Sequence, residues 1–287
     1  MAQTEHFAPQ SLKEAISLLT EHGDKAEVIA GGTDLLVRMK KGDDLPDFFI
    51  SLESIRELDY TRYSKKDGLR IGALTPIHSI INDTAVKDRF GVIADAAAKL
   101  GTPTLRRQAT IGGNLCNAAP SADMAPALIV LGAHVQIQFG DSQKTVPIED
   151  FFTGPGQTRL GSKGILLEIH VPNPSPHSKA IYLKHTRSQG ADLAIVGVAA
   201  SIIRDGEMIK DVKIALGAVA PIPMRAKEAE KILRGKKLDG EILEACGAAA
   251  SLECRPIGDI RSSEDYRRKV VKVLVKRAIK QMTEPEA

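Results

Sequence analysis

Two glycine pairs constrain this chain more than any other feature. The first lies in VIAGGTDLL (residues 28–36), where a short apolar run gives way to Gly31 and Gly32, then Thr33 and Asp34, then a new apolar-periodic segment. Strand, glycine turn and helix start together make a backbone anion site, because consecutive N–H groups can turn toward one ligand. The second lies in TIGGNLCNAAPSAD (residues 110–123), where Gly112 and Gly113 precede Asn114 and Asn117, and Pro120 breaks the chain ahead of Ser121, Ala122 and Asp123. Adjacent glycines permit positive φ and lack the Cβ atoms that would hold a ligand away. Asn side chains add donors and acceptors, and Ser121 or Asp123 is placed to cap the helix expected over residues 124–131. Alone, each pair is an ordinary turn; together they can hold the two phosphates of a dinucleotide from two sides. Neither has G-x-G-x-x-G spacing, and no Lys-Ser/Thr follows to make a Walker A loop.

The rest of the chain supplies α/β elements around these turns. Ser11 with Glu14 forms a capping box, and Leu12, Ala15, Ile16 and Leu19 give that helix its buried stripe up to Gly23. Strands over residues 27–30 and 48–52, joined by a short helix ending at Lys40, predict a parallel pair. Asp34 is read first as a cap of that short helix. Further on, a strand is expected over 69–73, then a helix with Thr75 as cap and Pro76 at its first position. An Ala-rich helix over 92–100 is stopped by Gly101, Thr102 and Pro103. Arg106 and Arg107 are expected on extended chain, pointing to opposite faces. A strand over 134–139 ends in a Gly140-Asp141 turn, and the nearly continuous apolar run 165–171 suits a strand buried on both faces.

Three prolines within residues 172–176 remove donors and fix φ, which places a domain boundary there. The expected division is a domain of residues 1–175, with subdomains 1–56 and 57–175, and a second domain of 176–287. The latter reads as strands 180–186, 193–204 and 208–219, the last two joined by an Asp205-Gly206 hairpin, then helices 225–233, 240–252 and 264–280. In the last helix Tyr266, Val270, Val273, Leu274 and Ala278 form the apolar stripe, and Arg267, Arg268, Lys269, Lys272, Lys276 and Arg277 the solvated face.

Composition narrows the function classes. A net charge of +3, aromatics at 4% and no Trp give no case for nucleic acid. No apolar run approaches the roughly 20 residues of a membrane span, and MAQTEHFAPQ has no basic-then-apolar leader pattern, so a cytoplasmic protein is expected. Cys116, Cys246 and Cys254 make no C-x-x-C and cannot ligate an iron–sulfur cluster; Cys246 and Cys254 read as helix packing. The histidines show no ligand pairing, so no metal site is expected, and no spacing suggests a hydrolase triad.

IAGGTDLL followed by TIGGNLCNAAPSAD resembles the paired FAD-binding motifs of the flavoprotein (medium) subunits of molybdenum hydroxylases. The similarity continues through GILLEIHVP (164–172), YLKHTRSQGADLAIVGVAA (182–200) and RPIGDIRSSEDYRRKVVKVLVKR (255–277), so it spans nearly the whole chain. It implies an α+β fold: a vanillyl-alcohol-oxidase-like FAD-binding domain of two α/β subdomains, then a C-terminal domain with a three-stranded antiparallel sheet and a helical bundle. It implies FAD on the backbone of Gly31, Gly32 and Thr33 from one side and of Gly112, Gly113 and Asn114 from the other. Thr110 and Asp123 would reach ribityl or ribose hydroxyls, and Ala30, Asp34, Leu35 and Ala118 would complete the cofactor-binding set. Leu166 would pack on the isoalloxazine and Lys184 would lie near its polar edge, where a cation tunes the cofactor. Noncovalent FAD is expected, because the family's position for covalent attachment holds no His or Cys. The family shows Arg-Asn where Arg106-Arg107 stands here, a departure at Arg107.

The implied partners are an iron–sulfur small subunit with two [2Fe–2S] clusters and a molybdopterin large subunit, in a heterotrimer that can dimerise. The chain itself would carry no catalytic acid or base and would relay electrons to an external acceptor. Two other readings stand beside this one: a self-contained FAD-dependent oxidase or reductase of the vanillyl-alcohol-oxidase superfamily, and a non-catalytic nucleotide-binding module.

Overall fold

The computed structural model describes residues 4–42, 46–188 and 191–284. The fold is α+β, built on three principal sheets. Near the N-terminus Phe48–Ser51 is flanked by Glu5–Phe7 and Ala26–Ile29, all three parallel. The parallel pair expected from the sequence is therefore present, and Glu5–Phe7, too short to carry a pattern, adds to it. Helix Leu12–His22 covers this sheet. The Ser11 hydroxyl accepts from the Glu14 amide, Glu14 accepts in return from the Gln10 amide, and Ala15 and Leu19 are buried.

The middle sheet is antiparallel, in the order Thr61–Ser64, Gly68–Gly72, Gly164–Val171, His134–Phe139, Ser142–Pro147. Gly164–Val171 lies at its centre, which explains its continuous apolar sequence. Its two faces serve two cores. Ile165 and Leu167 pack with Leu19, Ile50 and Ile55, whereas Leu166, Ile169 and Val171 pack with Leu69, Ile71, Ile111 and Leu128. Strict alternation would put Leu166 and Ile169 on opposite faces. A bulge between Leu166 and Glu168 shifts the register by one and returns both to one core. Truncating any of these side chains to Ala removes about 2–5 kcal/mol, the usual cost of a buried large-to-small change.

The third sheet holds three long antiparallel strands, Ser178–His185, Val196–Asp205 and Met208–Gly217, with Met224–Arg225 and Lys236–Lys237 as two-residue additions to the last. Helices Lys227–Leu233, Gly240–Glu253 and Glu264–Thr283 pack on one face. Cys246 and Cys254 are buried in that packing. The other face meets the middle of the molecule, where Tyr182, Ala199 and Ala215 join the same core as Leu128 and Ile111.

Several local expectations are corrected. Thr75 does not cap the helix Ile77–Asn82; its hydroxyl donates to the Tyr60 carbonyl and accepts from the Tyr60 amide, tying the incoming strand to the turn. Arg106 and Arg107 lie on a helix, Pro103–Gln108, capped by Thr102. The Arg106 guanidinium bonds the carbonyls of Ala98, Leu100 and Gly101, so it closes the preceding helix end. The stripe of the last helix is displaced by about one position: Arg267, Val271, Leu274, Val275 and Ala278 are buried, whereas Tyr266 and Val273 are about half exposed. Hydropathy excludes an arginine from a core. Arg267 enters because Ile195 O, Ala218 O and Asp259 Oδ1 accept from it at 2.6, 3.0 and 2.9 Å.

Candidate functional site

A cleft of about 880 Å³ runs between the three sheets, a volume toward the upper end of the usual range for small-molecule and cofactor sites. Of the fourteen residues expected to bind the cofactor, Ala30, Gly31, Gly32, Thr33, Asp34, Leu35, Thr110, Gly112, Gly113, Asn114, Asp123, Leu166 and Lys184 line it, although they come from four separate stretches of sequence. Ala118 is outside the lining. It is buried, with φ of 46°, and its carbonyl accepts from the Gly156 amide.

The first glycine loop leaves the strand Ala26–Ile29 and enters the helix Leu35–Lys41. Gly32 has φ of 67°, a left-handed conformation that any other residue resists. Gly31 has a different reason for lacking a side chain: a Cβ there would sit 1.8 Å from the Gln108 carbonyl oxygen. The first motif therefore packs by backbone against the end of the helix Pro103–Gln108, just ahead of the second motif. Among the described residues, the amides of Gly31, Gly32, Thr33 and Asp34 meet no acceptor, so four successive donors line this end of the cleft. Asp34 is not the expected cap; it has helical φ and ψ and makes no side-chain capping bond.

The second loop is built otherwise. Thr110 caps a short helix, Ile111–Cys116, and neither Gly112 nor Gly113 has positive φ. Its amides already have acceptors: Ile111 donates to Thr75 O, Gly112 to Ala73 O, and Asn114 to Thr110 O. Gly113 donates to the Thr110 hydroxyl, the one acceptor of the four on a side chain. The expectation of a second open backbone cradle is corrected on this point. Gly112 is small because a Cβ would meet Ala73 O at 2.5 Å, whereas a Cβ at Gly113 would meet only Thr110 Oγ1, at 3.0 Å. Asn114 Oδ1 is buried and, among the described residues, has no hydrogen-bond partner.

At the far side, Asp123 and Lys184 form a buried ion pair. Lys184 Nζ lies 2.9 Å from Asp123 Oδ2, with side chains 5% and 6% exposed. Nζ also donates to the Lys99 carbonyl at 2.8 Å, and the Tyr182 hydroxyl donates to Asp123 Oδ1 at 2.8 Å. Burial pushes the Asp123 carboxyl up from its ordinary range, against the opposing pull of Lys184 and Tyr182. Asp123 is thus not a helix cap, and Lys184 is not an isolated cation. Lys99 and Tyr182 escaped the sequence reading. The signal for Tyr182 was available: residues 182 and 184 alternate with the same face of one strand. Cys116 also lines the cleft, and desolvation pushes its thiol up to about 12.

Unpaired amides at residues 31–34 and an unpartnered Asn114 oxygen give the cleft polar groups for a ligand, and comparison with known proteins supplies the family. A model of the FAD-binding domain of molybdopterin dehydrogenases matches residues 2–174, and one of the C-terminal domain of the CO dehydrogenase flavoprotein matches residues 181–282. The chain belongs to the molybdopterin dehydrogenase flavoprotein family. The glyceraldehyde dehydrogenase medium chain of Sulfolobus acidocaldarius is 35% identical over 273 residues, covering 95% of this chain and 96% of that one. The xanthine dehydrogenase FAD-binding subunit of Escherichia coli is 29% identical over 270 residues, covering 94% and 92%. A solved carbon monoxide dehydrogenase from Hydrogenophaga pseudoflava matches with a TM-score of 0.94 and 33% identity, over 97% of this chain and 96% of that one. This family member is an FAD-binding subunit of an oxidoreductase, and no described helix is long and apolar enough to cross a membrane.

Proposed function

We propose that this chain is the electron relay of a cytoplasmic molybdenum hydroxylase. It takes electrons from the [2Fe–2S] clusters of a small subunit and delivers them to an external acceptor, while hydroxylation belongs to a molybdopterin large subunit. The observation that carries this reading is the placement of the cysteines. Cys116 is in the cleft wall, and Cys246 and Cys254 are buried in the helical layer. A cluster needs four protein ligands, so three dispersed thiols cannot hold one, and electrons coming from [2Fe–2S] clusters would come from another polypeptide.

In the proposed site the amides of residues 31–34 hold the pyrophosphate, and Asn114 Oδ1 accepts from a hydroxyl or amide of the cofactor. Leu166, 3% exposed, supplies an apolar surface for the ring. FAD, when bound, supplies the two-electron carrier. Asp123 and Lys184 cannot serve distant parts of it, because their charged atoms are 2.9 Å apart. They are one polar contact, an acceptor beside a donor, at the flavin end. Residues 1–175 would hold most of the cofactor and residues 176–287 would close the cleft with Lys184.

Expression of the chain alone and with its genomic neighbours tests the relay, using a dye acceptor and candidate aldehydes and N-heterocycles. Turnover is expected only with the partners. Rapid oxidation of such a substrate by the isolated flavoprotein would replace the relay with a self-contained oxidase.

A further inference from the structure

The Asp123–Lys184 pair sits inside a closed ring of contacts that joins two distant parts of the chain. Tyr182 and Lys184 extend from one face of the strand Ser178–His185. The Tyr182 hydroxyl takes Asp123 Oδ1, Lys184 takes Asp123 Oδ2 and the Lys99 carbonyl, and the Lys99 ammonium returns to the Tyr182 carbonyl. Tyr182 is 1% exposed, so its hydroxyl has no water to turn to. The neighbouring strand makes room for it: a Cβ at Gly197 would lie 2.8 Å from the Tyr182 oxygen. Lys184 has three donors, of which two are used, and it lines the cleft. Asp123 has one hydrogen bond on each oxygen, and each oxygen retains a lone pair.

We propose that Tyr182 is a positioning residue for the flavin end of the cofactor, acting through Asp123. A carboxylate bonded on only one oxygen swings about χ2; one bonded on both is fixed. With Oδ1 held by Tyr182, Asp123 keeps Lys184 in one place, and the remaining donor and acceptor of the pair meet the cofactor already oriented. Tyr182 itself is outside the cleft lining and touches the ligand only by way of this carboxylate. This inference rests on the assignment of Asp123 and Lys184 to the flavin end, and is independent of whether the chain relays electrons.

The test is a double-mutant cycle on FAD affinity, read by fluorescence quenching as apoprotein is titrated into FAD. Tyr182→Phe removes one oxygen and is expected to raise the FAD Kd about tenfold, the size of one hydrogen bond to a charged group. Asp123→Asn is expected to raise it at least as much, and Tyr182→Phe added to Asp123→Asn should have no further effect. A packing role alone would weaken binding in both backgrounds. Should Tyr182→Phe fail to fold, Gly197→Ala displaces the same hydroxyl and carries the same expectation. A Tyr182→Phe protein with wild-type Kd, or one whose defect persists beside Asp123→Asn, overturns the proposal. An unchanged Kd in Asp123→Asn overturns both it and the flavin-end assignment. Oxidase turnover by the isolated chain would overturn the relay and leave this cycle as it stands.

Discussion

The two glycine pairs read alike in sequence and differ in almost every physical respect. At residues 31–32 the backbone is open, with four amides facing the cleft and a left-handed residue at Gly32. At residues 112–113 it is helical, and its amides are bonded within the protein. Even the reasons for glycine differ within each pair. Gly31 and Gly112 are small because other backbone passes where a side chain would be and Gly32 because of its φ, whereas Gly113 lines the cleft and a Cβ there would meet only the Thr110 hydroxyl. One loop therefore offers main-chain donors to an anion, while the other supplies a wall and the side chain of Asn114. A shared G-G motif is evidence of close approach, and what approaches must be found separately.

The strongest way to break this contrast is to add a methyl group at each packing glycine. Gly31→Ala would put a carbon 1.8 Å from a carbonyl oxygen, less than any real contact, so one of the two loops must move. We expect FAD content below a tenth of wild type, measured from flavin absorbance per protein. Gly112→Ala meets Ala73 at 2.5 and 2.8 Å and disturbs the fold itself. Its apoprotein should lose about 1–3 kcal/mol in a denaturant titration, the usual cost of overpacking. An apoprotein as stable as wild type would show that the second loop is pliant.

Gly113→Val should separate binding from folding. Its Cβ would meet only the capping Thr110 hydroxyl, at 3.0 Å, and Val is a better helix former than Gly, so apoprotein stability should change by no more than about 1 kcal/mol, the size of one cap. FAD affinity should nevertheless fall at least tenfold, because the branched side chain enters the cleft. Full affinity would mean that the cofactor stays away from this wall. Gly32→Ala is the milder test of the first loop. A left-handed non-glycine residue costs about 1–2 kcal/mol, so both stability and FAD affinity should decline modestly. No change would show that the loop relaxes to another conformation.

The sequence made the elements legible wherever periodicity or turn chemistry was strong. The Ser11 cap, the buried run 165–171 and the Asp205-Gly206 hairpin all stand in the structure, although Glu14 reaches back to the Gln10 amide and not to that of Ser11. It was weaker where a residue has two possible partners. Asp34, Thr75 and Asp123 each precede a helix and each could cap it, and none does; Thr75 and Asp123 are instead bonded by Tyr60 and by Tyr182 with Lys184, groups distant in sequence. Arg267 was assigned to water because hydropathy cannot see three acceptors converging on one guanidinium. Lys184 lines the cleft, as the sequence suggested, yet its charge compensation was not legible, because the compensating carboxylate is on another element. Resemblance to a family recovered the cofactor; it could not tell that the second loop keeps its amides for itself.

The smallest expected effect concerns Cys116, on the wall that begins with Gly112. Its position in the cleft raises the question of a flavin thioether, which would require a thiolate. Desolvation pushes this thiol up to about 12, so at neutral pH it is protonated and a poor nucleophile. Acid precipitation should accordingly leave all flavin in the supernatant, and a yellow pellet would contradict the neutral thiol. Iodoacetamide should label Cys116 in the native protein far more slowly than in urea at pH 8. The sign of the linked stability follows from the same shift. Below pH 9 the thiol is protonated in both states and costs nothing. Between about pH 9 and 12 the unfolded chain releases a proton that the folded chain retains, so stability falls as pH rises. Cys246, buried and also pushed up to about 12, adds a loss of the same sign. Cys116→Ser should therefore flatten the alkaline limb only in part, with the remainder removed by Cys246→Ala. A Cys116→Ser protein whose pH-stability curve overlays wild type from pH 8 to 11 would show that this half-buried thiol titrates as it does in the unfolded chain.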